Sequence, residues 1–189
     1  MYTLDAIILD IQSIRDKQVR LVLFTREYGK ISAWIYKNIS GVDIGDIAHV
    51  VIERRESINR IRHIESRYFI GKKRWTYAPL ISFLEILKTL YHHTSDEDIH
   101  MHIFDDYLVL LQDVTACTEE DHSLLVQTRF LKMLGSLDPQ FFHASRVLQY
   151  IYNTISTTPL ERILASRALH EEEKKILRAA HLHAQSQLT

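Results

Sequence analysis

The chain has 189 residues, 46% hydrophobic and 25% charged, a balance that supports one or two small domains with their own cores and excludes a disordered or fibrous protein. No apolar run approaches the roughly 20 residues of a membrane helix, and the opening MYTLDAIILD has neither a basic start nor a small-residue cleavage site, so a soluble cytoplasmic protein is expected. The net charge of −1 conceals a split, because residues 1–76 hold 14 Lys and Arg against 9 Asp and Glu while residues 77–189 hold 9 against 15. Two domains with different partners are expected, the basic one suited to a polyanion.

Residues 2–11 open as an apolar strand, and the polar stretch 12–18 separates it from a second run at 19–26 that is apolar on both alternating faces. Such a strand is covered on both sides or closed into a small barrel. Residues 21–25 and 31–36 are β-rich, and Arg26, Glu27, Tyr28, Gly29 and Lys30 between them predict a hairpin whose left-handed position falls on Gly29. Gly41 and Gly45 mark a loop in the following NISGVDIGD, residues 49–52 form a fourth strand, 54–57 a polar turn, and 58–70 a long fifth strand. Five short strands with turn signals between them fit a barrel of the OB (oligonucleotide/oligosaccharide-binding) type over residues 1–76.

The period changes at Tyr77. Leu80, Phe83, Leu84, Leu87, Leu90 and Tyr91 recur at three and four behind Pro79, one face of a helix. Further apolar faces follow at 103–114 and 124–134, the latter stopped by Gly135 with Pro139 beyond it. Residues 145–155, a short helix after Thr158 and Pro159, and a last one opened by Glu171, Glu172 and Glu173 complete an all-helical domain over 77–189. The expected class is α+β in two domains, a five-stranded OB-type barrel followed by helices.

The strongest chemical constellation is basic. Residues 53–76 contain Arg54, Arg55, Arg60, Arg62, Arg67, Lys72, Lys73 and Arg74 against three glutamates. Arg60 and Arg62, two apart in a strand, share a face, and Trp34 and Tyr36 share another that is either a stacking platform or barrel core. Cations on phosphates and rings on bases are how small barrels hold single-stranded nucleic acid. The same arginines also suit a solvated, edge-protecting surface. The stretch HHTSDEDIHMH at 92–102 has metal-ligating residue types without a spacing that gathers them on one helical face, and reads as an acidic loop. The lone Cys117 excludes an intrachain disulfide and a thiolate zinc cage, fits a reducing compartment, and has no basic neighbour in sequence to activate it. P-loop, GxGxxG, GxSxG and HExxH signatures are missing, and an enzyme is not expected.

Leu23, Phe24, Thr25, Arg26, Glu27, Tyr28, Gly29, Lys30, Ile31 and Ser32 resemble the hairpin signature of the bacterial recombination mediator RecO family. Ala6, Ile7, Ile8 and Leu9 resemble that family's first strand, and the run RFLKMLG at 129–135 with Pro139 resembles a helix-ending element of its helical domain. The resemblance implies a non-enzymatic DNA repair protein, cytoplasmic and associated with the nucleoid. It would bind single- and double-stranded DNA and anneal strands. With a RecR-type partner it would help load a recombinase onto DNA coated by single-strand binding protein, whose C-terminal tail it would contact. Arg26 and Lys30 carry over from the matched motif; Lys37 and the other basic residues, with Trp34 and Tyr36, are candidates from charge and spacing. Many family members have a basic, glycine-bearing loop after the third strand and a four-cysteine zinc module. Here Lys37 is followed by NISGVDIGD, without a cation, and Pro139 by Gln140, Phe141, Phe142 and His143, so no structural zinc and no cofactor is expected. The alternative is an OB-fold protein-interaction scaffold with little or no DNA affinity, and a metal enzyme built on the histidine-rich stretch ranks last.

Overall fold

A computed structural model of the chain describes residues 1–15, 18–36, 41–56, 58–68, 77–94, 101–116, 120–166 and 169–187. Five strands, β1 (Tyr2–Arg15), β2 (Gln18–Thr25), β3 (Gly29–Ile35), β4 (Ile47–Arg55) and β5 (Ile58–Tyr68), close into a barrel in the order β1-β2-β3-β5-β4. All neighbours are antiparallel except β3 and β5, which meet in parallel at Ala33↔Asn59 and Trp34↔Arg60. This is the OB arrangement that the spacing of strands and turns predicts.

Alternation places Leu4, Ala6 and Ile8 of β1, Leu21 and Leu23 of β2, Ile31, Ala33 and Ile35 of β3, and Ala48, Val50 and Ile52 of β4 in one interior with Ile61 of β5. Three of these are alanines with no exposed surface, and Ala6 faces Ala48 directly across the β1–β4 pair. Small side chains at those rungs let a five-stranded barrel close around the larger Ile and Leu. On the outside, Val22 and Phe24 are also buried, so β2 is apolar on both faces because both are covered. Phe104 lies against Phe24 with ring centroids 6.3 Å apart.

The β2–β3 connector is Arg26, Glu27 and Tyr28, and Gly29 has φ 64°, the left-handed position anticipated from sequence. Thr25 fastens the turn: its hydroxyl donates to the Gly29 carbonyl at 3.0 Å and accepts from the Tyr28 N–H at 3.1 Å. Two sequence boundaries move. The polar residues after Ile11 continue β1 to Arg15, since pairing with β2 supplies the ladder that their side chains do not advertise. Arg54 and Arg55 end β4 instead of forming the turn, which begins at Glu56.

Irregular pairing shapes the barrel surface. Between Ile8 and Asp10 the register slips by one, so that Leu9 and Asp10 both face out and Ile11 returns to the core; Asp10 then accepts the Ile11 N–H at 2.9 Å. On β5, Ile61 pairs with Ile52 and His63 with Val51, leaving Arg62 as the extra residue, and Arg67 is extra between the partners of Ala48 and Ile47. Both β5 bulges therefore carry an arginine outward.

The helices are α1 (Tyr77–His93), α2 (Met101–Ala116), α3 (Glu120–Met133), α4 (Arg146–Thr154), α5 (Leu160–Ser166) and α6 (Glu171–Gln187), with a 3-10 helix at Pro139–Ala144 between α3 and α4. Gly135, φ 70°, ends α3 with its N–H on the Lys132 carbonyl and that of Ser136 on the Leu131 carbonyl, the paired closure that a left-handed glycine permits. The α1 face rotates from the sequence pattern: Phe83, Ile86, Leu87 and Leu90 are buried, whereas Leu80 and Leu84 are exposed. By compactness the chain divides into a unit of Met1–Arg74 with His93–Asp105 and a unit of Trp75–His92 with Asp106–Thr189. The barrel's unit thus takes in a stretch from the helical half of the sequence.

Candidate nucleic-acid interface

With Ile31, Ala33 and Ile35 turned inward, Ser32, Trp34 and Tyr36 stand on the outer side of β3. The alternation that left Trp34 and Tyr36 open between core and surface is decided by those three neighbours. Register then carries a row across the barrel: Gln12 opposite Arg20, Arg20 opposite Trp34, Trp34 opposite Arg60, and Arg60 opposite Glu53. An indole sits between two guanidinium-bearing positions on adjacent strands. Arg60 lies over the Tyr36 ring, 4.9 Å from its centroid, and Tyr36 is 48% exposed. Arg20 is steadied by hydrogen bonds to Ser32 Oγ at 2.7 Å and Gln12 Oε1 at 3.5 Å.

Beside this row, the carboxylate of Glu53 collects two more arginines. Arg55 Nε donates to Oε1 at 2.8 Å and Arg62 Nε to Oε2 at 2.5 Å, with a terminal nitrogen of Arg62 on the same oxygen. The hydrogen bond from Arg55 is the largest influence on the Glu53 carboxyl and, together with the hydrogen bond from Arg62 and the charges of both arginines, holds it below the usual glutamate range against the opposing effect of burial. Arg60, Arg62 and Arg55 thus form one cationic patch with Trp34 and Tyr36 beside it, and Arg20 belongs to it although its sequence neighbours are apolar.

The other candidates lie elsewhere. Arg54 falls on the opposite alternation of β4, near enough to Tyr2 for its charge to oppose the raised pKa that burial gives that phenol. Arg67 is roughly 16 Å further along β5 than Arg62 and pairs with Asp5 at 3.3 Å, which also meets His49 Nδ1 at 2.8 Å. Arg26, at the hairpin tip, pairs with Asp105 at 2.7 Å, and Lys30 is half-buried at the start of β3. Lys37, Lys72, Lys73 and Arg74 lie outside the described residues, as do Cys117 and most of the histidine-rich stretch.

In the helical unit, a groove of about 540 Å³ is lined by Asp106, Asp113, Met133 and the connector Ser156–Pro159 among others. Arg129 forms part of its wall, donating from Nε to the Ile155 carbonyl at 2.7 Å, from one terminal nitrogen to Asp113 at 2.5 Å and from the other to the Thr158 carbonyl. Its guanidinium shapes the α4–α5 connector. Among the described residues no group of three or more His, Cys, Asp or Glu is placed to hold a metal ion, and no helix is long and apolar enough to cross a membrane. The chain matches no protein-family model and no curated protein.

Proposed function

We propose that this protein is a non-enzymatic, nucleic-acid-binding mediator of DNA recombination and repair, of the RecO type that its hairpin resembles. The observation that supports it most is the outward row Arg20, Trp34, Arg60 with Tyr36 at its side. Guanidinium groups flanking a half-buried indole and an exposed phenol suit a single strand, whose phosphates take the cations and whose unstacked bases take the ring faces. The outer side of β3, with the Arg20 end of β2 beside it, also belongs to the surface that OB barrels offer to oligonucleotides. Binding of this kind is strongly salt-dependent and nearly blind to sequence, and a cationic face lowers the repulsion between two strands that must anneal. Duplex binding, a RecR-type partner and the tail of single-strand binding protein enter through the resemblance, as does a cytoplasmic, nucleoid-associated location.

The second reading, a protein-interaction barrel with little DNA affinity, draws support from the arginines already committed to carboxylates: Arg26 to Asp105, Arg55 and Arg62 to Glu53, Arg67 to Asp5. Fluorescence anisotropy of labelled oligothymidylate across a salt series separates the two. Under the first reading, log K falls linearly with log salt. Trp34→Ala weakens binding by about 1–3 kcal/mol with the slope unchanged, whereas Arg60→Ala lowers the slope by roughly 0.7. Absence of binding at low salt rejects DNA mediation and leaves the scaffold.

A further inference from the structure

Glu53 occupies an unexpected position for a carboxylate on a face offered to a polyanion. It is the least exposed member of its cluster, its side chain 23% accessible against 64% for Arg55 and 39% for Arg62, so the anion sits beneath and the guanidinium groups rise around it. Each of its oxygens is taken by a different arginine, and across the β4–β5 pair it stands opposite Arg60. The placement is built by the backbone. Arg55 is two residues along β4 on the same side, and Arg62 reaches in because it is the extra residue of a β-bulge.

Two guanidinium groups converging on the two oxygens of one anion describe a phosphodiester subsite as well as they describe a carboxylate one, since both anions present a pair of equivalent acceptors to the same N–H donors. We propose that Arg55 and Arg62 form such a phosphate subsite and that Glu53 is its built-in competitor, a side chain that fills the site when nucleic acid is absent and must be displaced from the arginine N–H groups when a strand binds. The inference rests on the nucleic-acid reading above and adds a regulated affinity to it. With the carboxylate in place, the two arginines neutralise no phosphate and contribute little to the release of counterions condensed on the nucleic acid. Once freed, each adds to the affinity and to its dependence on salt. The device would keep a protein that must hand strands on from holding them too tightly.

The test is the oligothymidylate titration repeated with Glu53→Gln, which keeps the shape and removes the charge, and with Glu53→Gln in an Arg55→Ala, Arg62→Ala background. The single variant is expected to bind about 3- to 10-fold more tightly at low salt and to steepen the slope of log K against log salt by about 0.7 for each arginine released onto a phosphate. In the triple variant the gain disappears, because the charges that it would release are gone. Salt-dependent wild-type binding with no tightening in Glu53→Gln overturns the competitor role and leaves the nucleic-acid reading standing. Weaker binding in the single variant likewise overturns it and makes Glu53 an organiser of the arginines. A gain that survives in the triple variant reduces the effect to loss of one negative charge and overturns the subsite. If neither wild type nor Glu53→Gln binds at low salt, both readings fall together. Binding by Glu53→Gln alone rejects DNA mediation by the native chain and overturns, with it, a competitor that a strand displaces.

Discussion

His181 shows how one side chain ties stability to pH. It is 4% exposed on α6, its Nε2 lies 2.8 Å from the Thr128 hydroxyl, and that hydroxyl is 2.7 Å from the Leu124 carbonyl, which it meets as donor. With the hydroxyl proton committed to Leu124, Nε2 is the donor to Thr128, and burial favours the neutral ring. Burial depresses the ring's pKa from 6.5 to about 4. The unfolded chain therefore takes up this proton first. The stabilisation is fully present above pH 6.5 and is lost as pH falls towards 4, to a limit of about 3 kcal/mol. Urea unfolding at a series of pH values is expected to show that decline in the wild type and a flatter profile in His181→Gln, whose amide keeps a donor without a proton to gain. An equal decline in both proteins would assign the acid sensitivity to other groups.

At the scale of the element, one glutamate holds two helix starts. Glu173 accepts the His170 N–H at 3.0 Å, capping α6, and the Ser145 hydroxyl at 3.1 Å, while that hydroxyl accepts the Leu148 N–H at 3.1 Å and caps α4. Glu173→Ala is expected to cost about 1–2 kcal/mol, more than Glu172→Ala on the exposed side of the same turn, as measured by chemical denaturation. Equal costs would reduce Glu173 to its charge near the α6 N-terminus. The triplet of glutamates was legible in sequence as a helix start, because acidic residues favour that end. The bond to Ser145 was not, because it depends on packing between elements separated by 28 residues. The hairpin was legible because Gly29 and the flanking β-rich runs are local signals. The 3-10 helix at Pro139–Ala144 was not, being too short for a period to register and held by Asp138 accepting the Gln140 N–H at 2.9 Å. Arg20 escaped notice for the same reason as Ser145: its partner Trp34 is set by register across strands, and no spacing along the chain announces it.

At the scale of the molecule, the charge split and the five-strand count both pointed to a basic barrel followed by helices, and the two bulges on β5 decide where the barrel's arginines emerge. The row that gathers Arg20, Trp34 and Arg60 crosses β3 and β5, and among the described residues those strands pair at only two rungs, against seven between β2 and β3. That junction is the slack hoop of the barrel. Amide exchange should be fastest there among the barrel's strand pairs, at whichever of Ala33 and Trp34, and of Asn59 and Arg60, turns its N–H across the seam. A strand of nucleic acid laid across the same two rungs would brace the closure, and saturating oligothymidylate should slow exchange at those amides before it alters the β2–β3 hairpin. Uniform slowing throughout the barrel would instead mark general stabilisation by ligand. The proposed binding face thus coincides with the barrel's loosest seam, so that a bound strand would act as a mechanical brace and barrel stiffness would report its occupancy.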